Sequence, residues 1–174
     1  MVEIISWTKR QFTFDQPVGV FPAILERLRG TPARAAAIVA KFTEESLAAQ
    51  IDQTWSAKEH IGHLVDLQPL DDARLQQFLN RVPVLSQADM ENKATQEANH
   101  RETPVAQILE RLRIGRDELV QKLEMLTPEE LAIPSLHPRL KQTMRLMDWV
   151  FFVAEHDDHH LVKARLALSS FHLP

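Results

Sequence analysis

Residues 155–168 read Glu155-His156-Asp157-Asp158-His159-His160-Leu161-Val162-Lys163-Ala164-Arg165-Leu166-Ala167-Leu168, and the fold turns on how this run is wound. Its residue pattern is helical, and on a helix positions four apart lie about 40° apart around the axis and one turn apart along it. At about 100° per residue, His156 and His160 share a stripe with Trp149, Val153 and Ala167, with Phe152 at its edge, while Asp158 and Phe151 fall on the other side. Unpartnered polar groups on such an apolar face cost about 1–3 kcal/mol each, so the two imidazoles call for a common reason. One divalent metal ion supplies it, because each neutral ring offers a nitrogen of borderline softness. A His-x-x-x-His pair alone is a weak pattern, since histidines at helical spacing also serve as surface or core residues.

Helix signals extend outward from this run. Thr143 reads as the cap of the last long helix, which continues through Leu168. Upstream, Ile133 to Gln142 contains Pro134 and Pro138 and reads as a loop. Thr127-Pro128-Glu129-Glu130 is a capping box ahead of a short helical turn. Thr103-Pro104 opens an amphipathic helix carrying Val105, Ile108, Leu109, Leu112, Leu119 and Leu123. Ser56-Ala57-Lys58-Glu59 is another capping box, whose helix reaches Leu79 with a kink near Pro69. Phe21 to Leu28 and the segment from Thr31-Pro32 to Phe42 read as one broken first helix, with Thr31 as N-cap. Extended structure is expected only near Phe12 and Phe14. Four principal helices predict an all-α, antiparallel four-helix bundle.

Composition narrows the function. The 174 residues suffice for one domain spanning 1–174. There are no cysteines, which excludes thiolate metal sites, cysteine nucleophiles and disulfides. The four glycines are scattered, so no phosphate loop or dinucleotide fingerprint can be built. A net charge of −4 with interleaved signs and no basic stripe disfavours nucleic acid. The start lacks a signal peptide, and the run Met147 to Ala154 is too short to span a bilayer, so a soluble cytoplasmic protein is expected.

A catalytic zinc-type site needs three protein ligands and an open position. The chain has eight histidines: His60, His63, His100, His137, His156, His159, His160 and His172. Among these, His63 is the best third ligand, two turns into the second helix beside Gly62, which lets another helix approach. Spacing alone leaves it in even contest with a reading in which His60 and His63 form a polar shoulder of that helix.

Trp55-Ser56-Ala57-Lys58-Glu59-His60-Ile61-Gly62-His63-Leu64 resembles the tryptophan-led second-helix motif of DinB/YfiT-like proteins, and His156-x-x-His159-His160-Leu161 resembles their fourth-helix motif. The resemblance spans about Phe21 to Leu168. It implies a four-helix bundle holding a divalent metal, zinc or nickel, through His63, His156 and His160. It also implies a metal-dependent enzyme acting on a small molecule, as the family's S-transferases of low-molecular-weight thiols and its maleylpyruvate isomerases do; hydrolysis is equally open to such a site chemically. Relatives often carry a Gln shortly after the histidine pair, where Lys163 and Arg165 stand here, so the substrate pocket is expected to differ.

Other readings are weaker. A His-Glu-x-x-His protease fails because Asp157 replaces the glutamate base. A di-iron bundle needs paired Glu-x-x-His motifs, and only Glu97-Ala98-Asn99-His100 has that form. A haem bundle has nothing beyond histidines to select it. The runner-up is a non-catalytic, stress-related metal-binding protein, and a homodimer is the assembly to be tested. Asp157 and Asp158 read as a solvated acidic step. Glu59 is expected to serve as the capping partner, and Trp55, Trp149 and Phe152 as core near the metal end. His159 reads as a group beside the site or an alternative ligand. Metal affinity is expected to weaken as pH falls through about 6.5, where unperturbed histidine protonates.

Overall fold

The computed structural model describes residues 3–171, so His172 lies outside the described residues. Two of its long helical segments are broken where the sequence places a proline. Helices α1 (Phe21–Arg29) and α2 (Thr31–Val39) meet at Pro32, and after α3 (Glu44–Ala48) comes the second such pair, α4 (Ala57–Asp66) and α5 (Gln68–Leu79), which meets at Pro69. A proline inside a helix removes one N–H and leaves a carbonyl to be satisfied elsewhere. Thr31 is not a cap: it lies inside α2, and its hydroxyl donates back to the Arg27 carbonyl. The remaining elements are α6 (Lys93–Glu97), α7 (Val105–Glu124), α8 (Pro128–Leu131), β1 (Pro134–His137), β2 (Gln142–Arg145) and α9 (Leu146–Ala167).

Both capping boxes form. Ser56 Oγ accepts from the Glu59 N–H at 3.3 Å while Glu59 accepts from the Ser56 N–H at 2.7 Å, and Thr127 and Glu130 do the same. Thr103 is not a cap. Its hydroxyl donates to the Asn99 carbonyl, and the first N–H of α7, on Val105, goes to Glu44 from the distant α3. The segment expected as a loop contains half of a short antiparallel hairpin, in which Pro134 faces Arg145 and His137 faces Gln142. Pro134 is tolerated because it opens the strand. Thr143 therefore lies in β2, and α9 begins three residues later. There Arg145 and Asp148 cap each other: Asp148 accepts from the Arg145 N–H at 2.9 Å and from its guanidinium at 2.7 and 2.8 Å. No strand forms at Phe12 and Phe14, whose rings instead stack in parallel.

The four segments make a bundle in which α1/α2 and α9 run one way and α4/α5 and α7 the other. Helices α7 and α9 each pack against both α1/α2 and α4, which places the first two segments across the bundle from each other. Two apolar clusters fill it. One joins α1, the end of α5, the end of α7 and the start of α9 around Leu28, Phe78, Leu119 and Trp149. The other joins α2, α4, the start of α7 and the end of α9 around Ala35, Ile61, Leu112 and Ala164. No described helix is long and apolar enough to cross a membrane.

Between the clusters lies a polar layer. Arg116 of α7 is 1% exposed and grips Asp157 of α9 with two hydrogen bonds of 2.7 and 2.9 Å, and it also reaches Gln68 and Asp71 of α5 at 3.0 and 3.2 Å. Asp157 is thus fully buried and ion-paired, not part of a solvated step, because the helix that carries it is covered on nearly every side. Asp158, partly exposed, is held by Arg27 and Arg34. Removing one member of a buried pair strands the other, so Asp157→Ala should lower the free energy of unfolding by about 3–5 kcal/mol in urea titration. A loss below about 1 kcal/mol would mean the pair behaves like an exposed one and ties nothing together.

Candidate metal centre

His63 is held seven residues into α4 by the register that the Ser56 capping box sets, and His156 and His160 stand one turn apart on α9. Helices α4 and α9 are neighbours, so the three rings converge. One ring nitrogen from each lies within 4.8 Å of the others. The ring centroids are 5.4 Å apart for His63–His156, 4.6 Å for His63–His160 and 4.5 Å for His156–His160.

Neighbouring groups fix two of the rings. His63 Nδ1 is hydrogen-bonded to the buried Thr95 hydroxyl of α6 at 2.9 Å, and His160 Nδ1 to His60 Nδ1 at 3.1 Å. In each case Nε2 is the ring nitrogen left over, the arrangement a ligating imidazole needs: one nitrogen for the ion, the other anchored. Gly62 does permit a close approach, though by a side chain rather than a helix. A β-carbon there would lie 2.4 Å from the ring of His100, which is itself held by Asp66 at 2.8 Å.

Aromatic rings enclose the group. Trp55 lies 5.1 Å from His63, and Trp7, in a short 3-10 turn at Trp7–Lys9, lies 4.9 Å from His156 and 5.6 Å from His159. Arg10 pairs with Glu155 and ties this N-terminal segment to α9. Phe152 joins the same layer, 5.0 Å from Trp7, whereas Trp149 sits in the apolar cluster around Leu28 and Leu119, 5.9 Å from Phe78. His159 falls outside the three-nitrogen group but lines the adjoining cavity of about 360 Å³, as do Lys163, Arg139 and His137. No sequence signal marks Trp7, Thr95 or Arg139 as neighbours of the histidines. Each reaches the site from a segment whose position only the assembled bundle sets.

Burial dominates the electrostatics. Desolvation pushes His63 down to about 4 and His60 and His137 down to about 3, and it takes His156 and His160 well below their ordinary value, with the neighbouring histidines adding to the effect. All are neutral near pH 7, the state a ligand must have. The window in which protons compete with a metal therefore moves below the 6.5 of a free imidazole. Asp71 departs in the other sense: burial raises it to about 6 despite Arg116.

The family model for the DinB superfamily matches residues 27–162. Among solved structures, YfiT from Bacillus subtilis, described as a probable metal-dependent hydrolase with an unusual four-helix bundle topology, matches with a TM-score of 0.78 at 19% identity over 91% of each chain. A mycothiol-dependent maleylpyruvate isomerase matches with a TM-score of 0.65 at 9% identity, over 85% of this chain and 60% of its own. At these identities the two structures show a shared fold. No curated protein matches the sequence.

The depressed histidines set the acid stability of the metal-free protein. A histidine whose folded pKa is lowered is neutral in both states above about 6.5, and below that value the unfolded chain takes up the proton first. Stability is therefore at its full value above pH 7 and falls as pH drops through 6.5 towards 4. Asp71 alone works in the opposite direction, gaining its proton in the folded state first. Urea titrations at pH 7.5, 6 and 5 should show the free energy of unfolding falling more steeply than the about 1.4 kcal/mol per pH unit that one proton gives. A flat profile would mean that these rings are protonated in the folded protein.

Proposed function

The chain belongs to the DinB superfamily, and from that premise we propose that it is a metal-dependent enzyme in which His63, His156 and His160 hold a divalent ion, zinc or nickel, at the wall of the cavity. The observation that carries this reading is the convergence of three neutral imidazole nitrogens within 4.8 Å, on two buried rings and one half-buried ring, beside a cavity large enough for a small molecule. Three imidazoles leave a position on a four-coordinate ion for water or substrate. Bound there, the ion would supply Lewis acidity, lowering the pKa of a coordinated water or thiol.

The chain's own residues supply the surroundings. Thr95 and His60 orient two of the ligands, and Trp7, Trp55 and Phe152 exclude water around the group. His159 lines the cavity and has its pKa lowered by burial, with Lys163 and Arg10 adding to the shift, so it is neutral and able to accept a proton at pH 7. Two reactions suit the site. Hydrolysis is supported by the description of the YfiT structure, and transfer involving a low-molecular-weight thiol by that of the mycothiol-dependent isomerase. With no cysteine in the chain, a thiol would enter as a diffusible cosubstrate. Assaying the metal-loaded protein for ester or amide hydrolysis and for thiol conjugation separates the two, and activity that persists after chelation would remove the metal from both.

Elemental analysis after zinc loading should give about one ion per chain. In isothermal titration, His160→Ala should weaken zinc binding by more than about 100-fold and His159→Ala by less than about tenfold, since the former removes a ligand and the latter only a neighbour. Equal losses, or a larger loss at His159, would assign the ligand to the wrong member of the pair.

A further inference from the structure

His137 and Arg139 stand two residues apart on the hairpin, and the three-histidine group uses neither. His137 is 2% exposed. Its Nδ1 accepts the backbone N–H of Leu140 at 3.3 Å, so in the neutral ring the proton sits on Nε2, which is buried without a hydrogen-bond partner among the described residues. Arg139 is half-buried, with its guanidinium 5.9 Å from the ring centre of Trp7 and 5.6 Å from that of Phe152. Its Nη2 is also buried without a partner among the described residues, and burial alone lowers its pKa, with no described carboxylate beside it to oppose the shift.

Both side chains line the cavity that His63, His156 and His160 border. The other charges there are largely spoken for. Arg116 is neutralised by Asp157 and Asp71, Arg74 donates to the Ser86 carbonyl, and Asp89 accepts the backbone N–H groups of Glu91 and Lys93. Among the described residues that line the cavity this leaves Lys163, Arg139 and His137, the last two each with a buried nitrogen that has no hydrogen-bond partner. A desolvated cation and a desolvated donor with no acceptor both weaken the fold unless a ligand meets them.

We propose that this cavity binds a small organic carboxylate, with its anionic head between Arg139 and His137 Nε2 and its apolar body against Trp7 and Phe152. The planar guanidinium matches a carboxylate in the plane of both groups. Two unsatisfied donors beside aromatic walls suit a monoanionic acid with an apolar body, which inorganic phosphate lacks. As the substrate class of the proposed metal-dependent reaction, the inference rests on that reading, while binding of the anion itself requires no ion.

The test is isothermal titration of the metal-free full-length protein with benzoate, benzamide and inorganic phosphate. Benzoate should bind at least about tenfold more tightly than benzamide, a comparison that needs no variant. Arg139→Gln should weaken benzoate at least about tenfold, Arg139→Lys less, and His137→Phe measurably. Benzamide matching benzoate, or Arg139→Gln binding benzoate as the unaltered protein does, would overturn the site, and tighter binding of phosphate would overturn the carboxylate. Zinc stoichiometry measured on the same preparation separates the two readings. Benzoate bound by a chain that takes no zinc supports the anion site and removes the metal, and zinc taken up by a chain blind to benzoate does the reverse.

Discussion

The buried guanidinium of Arg116 is the constraint around which the bundle is arranged. A charge at that depth is stable only if carboxylates meet it with good geometry, and Asp157 and Asp71 do so from two other segments. The demand fixes the rotation of α9 about its axis. With Asp157 turned to α7, His156 and His160 are carried round towards α4, where His63 waits. The apolar clusters on either side stay separate because this layer occupies the plane between them. The metal-type site is thus an extension of a polar stratum that the fold already has to satisfy.

Glu59 illustrates the same economy at the level of a single helix. Through the capping box it fixes where α4 begins, and the start of that helix determines that His63 faces the core seven residues on. Thr95, from a helix of only five residues, then decides which nitrogen of that ring is free. Local hydrogen bonds and a tertiary contact together determine what one imidazole can do.

Such local signals were legible in the sequence. The two capping boxes, the breaks at Pro32 and Pro69, and the end of the second segment at Leu79 depend on residues within a turn or two of one another. The three histidines were legible through helical spacing together with the resemblance to a family motif. What escaped depends on partners far away in the chain. Asp157 looked solvated because its partner, Arg116, lies on another helix. Thr143 looked like a cap because the pairing that makes it a strand residue needs Pro134 to His137, a stretch with two prolines nearby and no alternation. Thr31 and Thr103 have the residue type of caps, yet their hydroxyls found carbonyls one turn back. His137 and Arg139 carried no motif, and only the hairpin brings them to the cavity.

The placement of α9 has a consequence for synthesis. Both apolar clusters take residues from this helix, and two of the three histidines stand on it, yet it leaves the ribosome after the other helices of the bundle. Until it emerges, α1 and α4 stand across an open gap with neither cluster closed, and His63 is a lone imidazole that offers an ion a single bond. Closure of the core and assembly of the histidine group therefore wait on the same event, the emergence of α9. A shortened or stalled chain would display apolar helix faces of the kind that chaperones bind, and its histidines would not be gathered into a group.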